Sequence, residues 1–313
     1  MFTLPVFYHP STIVTVDDDV LFLKAISQLI KSKFKIKTFQ EPTTCIDFLD
    51  TYVSPLSETV FLRPCKEYEH YDSLTSSLVD FDASGLYSLK QNSCRFDEIS
   101  ILIVDYNMPE MNGIELCQKI SALPIKKILL TGQADNRDAV DAFNNKIIDC
   151  FMRKDSPTLV ADIQSYVARL SREYFHQRTS ALMAHLEVDQ PIPLSDPIFT
   201  QFFDEWCQEN SIREYTLIDK NGSLLVIDDN DQHAFLVVHT ERTLRSFAEV
   251  NDDVAEAELL LSDVKKFRKI PFFGVGKESW QFSPDKWAQF FFKPNVLAGR
   301  ENYYWAVSKQ IME

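Results

Sequence analysis

Ile101-Leu102-Ile103-Val104-Asp105-Tyr106-Asn107-Met108-Pro109-Glu110-Met111-Asn112-Gly113 decides how this chain is read. Its first four residues are apolar and largely β-branched, the signature of a short strand buried on both faces. A carboxylate then stands at the strand's C-terminal end, followed by a turn. Working outward, Thr12-Ile13-Val14-Thr15-Val16 is a second such strand and ends on Asp17, Asp18 and Asp19. Leu129-Leu130-Thr131-Gly132 and Phe151-Met152-Arg153-Lys154 close two more strands with a hydroxyl and an ammonium. In an open α/β sheet, ligands bind at the C-terminal ends of the strands. Carboxylates converging there repel one another unless a cation sits between them, so the arrangement predicts a divalent metal.

Acid pair, lone acid, hydroxyl and lysine in that order, with the turn after Asp105, resemble the receiver domain of two-component response regulators. Strand signals at 12–16, 34–39, 100–104, 126–130 and 147–151 alternate with helical spacing near 19–31, 43–50, 113–122, 135–144 and from 157 onward. The fold class expected is therefore α/β: a doubly wound, five-stranded parallel sheet, order 2-1-3-4-5 by analogy with the family, followed by a separate α+β output domain. Three segments are expected: a receiver over 1–157, an extended helix and linker over 158–194, and the output domain over 195–313.

The resemblance implies roles. Asp105 would be the phosphoacceptor, taking a phosphoryl group from a sensor histidine kinase or a phosphotransfer protein. Asp17, Asp18, Asp105 and the backbone carbonyl of Asn107 would hold Mg²⁺, a hard cation served by oxygen ligands. Lys154 and Thr131 would contact the phosphoryl oxygens, and Thr131 with Phe151 would form the switch that reports the new charge. Asp19 reads instead as the start of the next helix, where a carboxylate suits the positive dipole end.

Two departures from the family pattern stand out. Asp105 lies 88 positions after Asp17, so a surplus of roughly forty residues, about 53–98, must be an insertion between the second and third strands. A structureless loop of that length is improbable, and an added hairpin or short helix is expected. After Lys154 the chain continues Asp155-Ser156-Pro157, where the family commonly places a proline joined by a cis bond. A non-proline cis bond costs ~2.5–4 kcal/mol, so this loop is expected to run differently.

Residues 157–186 contain no glycine, and apolar positions recur at three- or four-residue steps, giving one long helix. Fewer than three clean heptads are present, so a dimeric coiled coil is not established by the pattern. Ser195-Asp196-Pro197 opens the second domain as a helix start. Phe199, Phe202, Phe203 and Trp206 then form an aromatic stripe at helical spacing. Strands are expected at 214–219, 223–228 and 233–240, the first two joined by a turn over Lys220-Asn221-Gly222. Helical segments near 241–249 and 253–268 and strands near 270–275 and 302–309 complete it.

From Ser180 onward, 13 Lys and Arg stand against 22 Asp and Glu, whereas nucleic-acid domains present a basic face. One basic knot, Lys265-Lys266-x-Arg268-Lys269, supports the alternative of a DNA-binding transcriptional regulator. A second alternative is an enzymatic output. There is no GxxxxGK[ST] loop, no GGDEF-like or EAL-like stretch, and Gly274-Val275-Gly276 lacks a third glycine. His176 and His185 are isolated on a helix. Six cysteines without CxxC spacing read as reduced thiols. With no apolar run of membrane length and no secretory signal, a cytoplasmic protein is expected. The late phosphoacceptor and the unmatched output are loosely similar to the quorum-sensing response regulators of Legionella. A homodimer is the expected assembly, with the output's protein partner unspecified.

Overall fold

The buried runs read from the sequence become strands in the computed structural model, which describes residues 3–30, 33–56, 62–64, 79–81, 92–132, 137–186 and 192–309. After the two-residue β1 (Phe7–Tyr8), β2 (Thr12–Val16) begins the alternation. It continues as α1 (Val20–Ile30), β3 (Lys35–Phe39), α2 (Pro42–Asp50), the short β4 (Leu62–Pro64) and β5 (Val79–Phe81), and β6 (Ile99–Asp105). Then come α3 (Gly113–Lys119), β7 (Lys126–Thr131), α4 (Arg137–Asn144), β8 (Cys150–Arg153) and α5 (Leu159–Leu186). The chain divides into two compact units, one made of His9–Ser57 and Ser93–Arg178, the other of Met1–Tyr8, Glu58–Asn92 and Thr179–Glu313.

In the first unit the strands lie in the order β3-β2-β6-β7-β8, all parallel. This is the doubly wound sheet expected. Alternation along each strand sends successive residues to opposite faces. Val14, Leu102, Val104 and Leu129 pack with Cys45, Leu49, Leu116 and Ala142 from α2, α3 and α4. Ile13, Ile101, Ile103, Ile128 and Leu130 pack with Ile26 and Ile30 of α1 and Ile163, Val167 and Leu170 of α5. The two cores clamp the sheet, and its C-terminal edge is left for side chains that do chemistry.

At the opposite edge, Glu98 is fully buried just before β6. Its carboxylate accepts hydrogen bonds from Ser54 Oγ (2.6 Å), Tyr52 Oη (3.2 Å) and the Tyr174 hydroxyl. Tyr52 in turn accepts from the Ile99 amide at 3.0 Å, and Arg178 Nη2 donates to the Leu56 carbonyl at 3.0 Å. Burial, with the Glu98 charge beside them, pushes both phenols above the ordinary tyrosine value. Most of the expected insertion lies outside the described residues. Within it β4 and β5 pair antiparallel, Arg63 opposite Asp80.

The second unit is an antiparallel sheet in the order β1-β9-β10-β11-β15-β14. It runs through α6 (Pro197–Glu209), β9 (Ile212–Leu217), β10 (Leu224–Asp228), β11 (His233–Thr240), α7 (Glu241–Val250) and α8 (Glu258–Lys265). It ends with β12 (Ile270–Pro271), β13 (Phe291–Phe292), β14 (Asn295–Ala298) and β15 (Asn302–Ser308). Asp196 caps α6, accepting from the Ile198 amide at 2.9 Å. The aromatic stripe faces the sheet: Phe199 meets Tyr303 at 5.6 Å and Phe203 meets Tyr215 at 5.0 Å between ring centroids. The other face carries a core of Leu244, Leu261, Val264, Phe273, Trp287, Phe290 and Tyr304. Gly222, with φ +97°, closes the β9–β10 turn, where Asp219 Oδ1 accepts from the Asn221 and Ser223 amides.

Three expectations change. The strand near 270–275 shrinks to Ile270–Pro271 paired with Phe291–Phe292, because Pro271 has no amide to continue a ladder and Gly274 (φ +110°) turns the chain away. The helical segment 253–268 becomes a 3₁₀ turn over Ala255–Ala257 followed by α8, which stops before Phe267 in the left-handed region at φ +58°. β14, an exposed four-residue strand, joins β15 in a hairpin the sequence did not signal. Among the described residues, no helix is long and apolar enough to cross a membrane.

Candidate functional site

Register brings the acids together. Val16 lies beside Val104 and Asp105 beside Leu130, so Asp17, Asp105 and Thr131 emerge from three neighbouring strand ends. Asp17 and Asp105 are buried and Asp18 is exposed. One carboxylate oxygen from each of Asp17, Asp18 and Asp105 lies within 4.8 Å of the others. This acidic cluster is capable of coordinating a divalent metal, and its all-oxygen donor set suits a hard cation. Asn107 lies in the exposed bend two residues past Asp105.

Lys154 reaches into the cluster. Its Nζ lies 2.6 Å from Asp17 Oδ2 and 2.9 Å from Asp105 Oδ1, with the side chain about a fifth exposed. Its amide donates to the Thr131 carbonyl at 2.8 Å, which fixes the start of the side chain at the strand end. Burial pushes the Asp105 carboxyl above the ordinary aspartate value, against the hydrogen bond from Lys154 and with help from the charges on Asp17 and Asp18. Burial pulls Lys154 down, but its bonds to Asp17 and Asp105 outweigh that and leave the ammonium above the ordinary lysine value. An ammonium that stays charged is a fixed electrostatic partner for anionic oxygens.

The loop after Lys154 runs without a cis bond among the described residues. Arg153 grips Asp155 through Nε–Oδ1 (2.9 Å) and Nη2–Oδ2 (2.6 Å), and the Ser156 amide donates to the Arg153 carbonyl at 3.2 Å. This fork and turn stand where the family commonly uses proline. Thr131 is buried. Phe151 is 39% exposed, on the opposite pleat to buried Cys150 and Met152, and meets Phe143 of α4 edge-on at 6.3 Å.

Asp19 starts α1: its Oδ1 accepts from the Leu21 (2.8 Å) and Phe22 (3.2 Å) amides, while its own amide donates to Asp17 Oδ1 at 3.0 Å. Two features escaped the sequence. The Phe22 ring lies under Lys154, with Nζ 4.6 Å from the ring centroid. Gly113 packs so closely on β6 that a Cβ there would fall 2.3 Å from the Asp105 carbonyl oxygen. Its amide donates to the Tyr106 carbonyl at 3.0 Å, and Asn112 caps α3 through Oδ1 to the Glu115 amide at 2.9 Å.

Elsewhere the functional candidates are less assembled. His176 is half-buried on α5, and the side chain of His185 lies outside the described residues. In the basic knot, Lys265 pairs with Asp252 at 2.6 Å and Lys266 Nζ bonds Ser262 Oγ at 3.1 Å, so part of its charge is engaged locally.

The response regulator receiver domain family matches residues 83–164. A search of curated proteins returned no match. Among solved structures, the chain is similar to the Legionella pneumophila response regulator LqsR, with a TM-score of 0.79 and 29% identity over 98% of this chain and 89% of that one. An adenylate cyclase from Rhodopirellula baltica matches at TM-score 0.38 and 18% identity, over 57% of this chain and 99% of its own. A CheY-like response regulator receiver domain protein from Methanospirillum hungatei JF-1 matches at 0.34 and 17%, over 54% and 98%.

Proposed function

We propose that this receiver-domain protein of the response-regulator type, homologous to LqsR, accepts a phosphoryl group on Asp105 from a histidine kinase or a phosphotransfer protein. The observation that carries the reading is the convergence of Asp17, Asp18, Asp105 and Lys154 at one sheet edge. An Asp105 oxygen forms the new bond to phosphorus as the donor's phosphorus–nitrogen bond breaks, and the donor imidazole leaves. Asp17, Asp18, Asp105 and the Asn107 carbonyl would hold Mg²⁺, which supplies neutralisation of the phosphoryl charge when bound. Lys154 meets the phosphoryl oxygens as a compact cation, and Thr131 donates to them from the next strand end.

Phosphorylation adds roughly −1.5 to −2 charge at this edge. Thr131 moving toward it vacates space into which Phe151 turns, and the outward ring seen here is the starting position for that movement. The output is a change in dimerisation and in what the second unit contacts, in a cytoplasmic setting. Shifting such an equilibrium from 1:99 to 99:1 takes about 5.5 kcal/mol of differential stabilisation. Incubation with acetyl phosphate and Mg²⁺ should place one base-labile phosphate on the chain, and Asp105→Asn or prior chelation of the metal should prevent its formation. Undiminished labelling of the Asp105→Asn variant would end this reading.

A further inference from the structure

We propose that Phe22 is a positioning residue for Lys154, holding its ammonium over Asp105 by the face of an aromatic ring. The inference rests on the phosphoacceptor reading of Asp105. A lysine side chain has four rotatable carbons, and two carboxylates 2.6 and 2.9 Å from its tip do not by themselves fix its direction of approach. The Phe22 centroid, 4.6 Å from Nζ, supplies a third contact of a different kind: the negative face of a ring.

The main chain that carries the ring is held in a closed circuit. The Asp19 amide binds Asp17 Oδ1, Asp19 Oδ1 accepts the Phe22 amide, and Lys154 returns to Asp17 Oδ2. The ring's body also packs beside the core formed by Ile26, Ile103 and Leu130. The third aspartate thus serves the site indirectly, by setting the first turn of α1. Once an anionic phosphoryl group takes over part of the lysine's hydrogen bonding, the ring contact remains to keep the ammonium in register.

A purely structural role for Phe22 depends on its volume; a positioning role depends on its electrons. Replacing Phe22 by trifluorophenylalanine in the full chain preserves shape while draining the ring face. Labelling of Asp105 by acetyl phosphate should slow about five-fold, the size of a partly exposed cation–π contact. The urea midpoint should stay unchanged. Phe22→Leu should slow labelling similarly and Phe22→Tyr restore it. In the unmodified chain the Lys154 Cε protons should resonate upfield, shielded by the ring, and return to the ordinary lysine position in Phe22→Leu. Parental labelling rates for the fluorinated chain, or an unshifted Lys154 methylene in the parent, would overturn the proposal. If Asp105→Asn still labels, the phosphoacceptor reading fails instead, and the resonance alone decides the Phe22 contact.

Discussion

Adding one methyl group at Gly113 should disable the site while leaving the chain folded. The Cβ of Gly113→Ala would stand 2.3 Å from the Asp105 carbonyl oxygen and 2.9 Å from Leu129 Cδ1. Carbon–oxygen contacts settle near 3.3 Å, so α3 and the end of β6 must part by about 1 Å. The hydrogen bond from the Gly113 amide to the Tyr106 carbonyl, 3.0 Å, lies in the path of that separation. Overpacking of this kind costs about 1–3 kcal/mol, and alanine's better helix propensity returns under about 1 kcal/mol. A net loss of roughly 1–2 kcal/mol is tolerable for a domain of this size. The chemistry is less forgiving, because displacing a reacting group by about 1 Å can lower the rate on the order of 100-fold. Urea titration would read the first quantity and the initial rate of acetyl phosphate labelling the second. Gly132→Ala is the control, since among the described residues a Cβ there meets nothing within 4 Å. A Gly113→Ala chain that labels at the parental rate with an unmoved urea midpoint would refute the steric reasoning.

Two further outcomes concern stability. His9 is buried against Phe175, 4.7 Å between rings, and burial pulls its pKa down to about 4. The unfolded chain takes up this proton below about 6.5 while the folded one waits until about 4, so His9 should remove about 3 kcal/mol as pH falls through that window. A His9→Gln chain should show a correspondingly flatter pH dependence of its urea midpoint between those values; parallel curves for the two chains would contradict the burial argument. Asp196 accepts from the Arg300 amide (2.6 Å), the Tyr303 hydroxyl (2.9 Å) and the Ile198 amide (2.9 Å), tying the α6 cap to the β14–β15 hairpin. Asp196→Ala should destabilise the second unit by about 3 kcal/mol, with Asp196→Asn recovering part of it. A thermal midpoint within error of the parent would show that these groups find other partners.

The parallel sheet was legible because its strands carry local signals: apolar β-branched runs leading to Asp17 just past β2 and to Asp105 in β6, and alternation in β3. The same holds for the Phe199–Trp206 stripe and the Asn221-Gly222 turn, whose patterns are local. Strands defined by distant partners were not. β1 is two residues long and acquires its identity from Thr216 and Tyr215, two hundred positions away. β14 has an exposed sequence that alternation does not mark. At the candidate site, the sequence order marked the acids and the lysine that lie together at one sheet edge, but not what supports them. Phe22 reads as one more apolar helical position until the tip of Lys154 is placed above it. Gly113 reads as a turn residue until the Asp105 carbonyl is found against its Cα. The Arg153–Asp155 fork is visible as a charge pair in the sequence, yet only the fold makes it a brace for the lysine loop.

Side chains from Ser54 and Glu98 meet at 2.6 Å, so the chain just past α2 is joined to the chain just before β6 beside the parallel layer. Tyr174 and Arg178 bolt this junction from the α5 side. Such a stem uncouples the insertion's length from the strand order it interrupts. A short tether between Leu56 and Ser93 should therefore leave the Ser54–Glu98–Tyr174 clasp and the Arg178–Leu56 bond in place, and a shortened chain should keep its parallel layer.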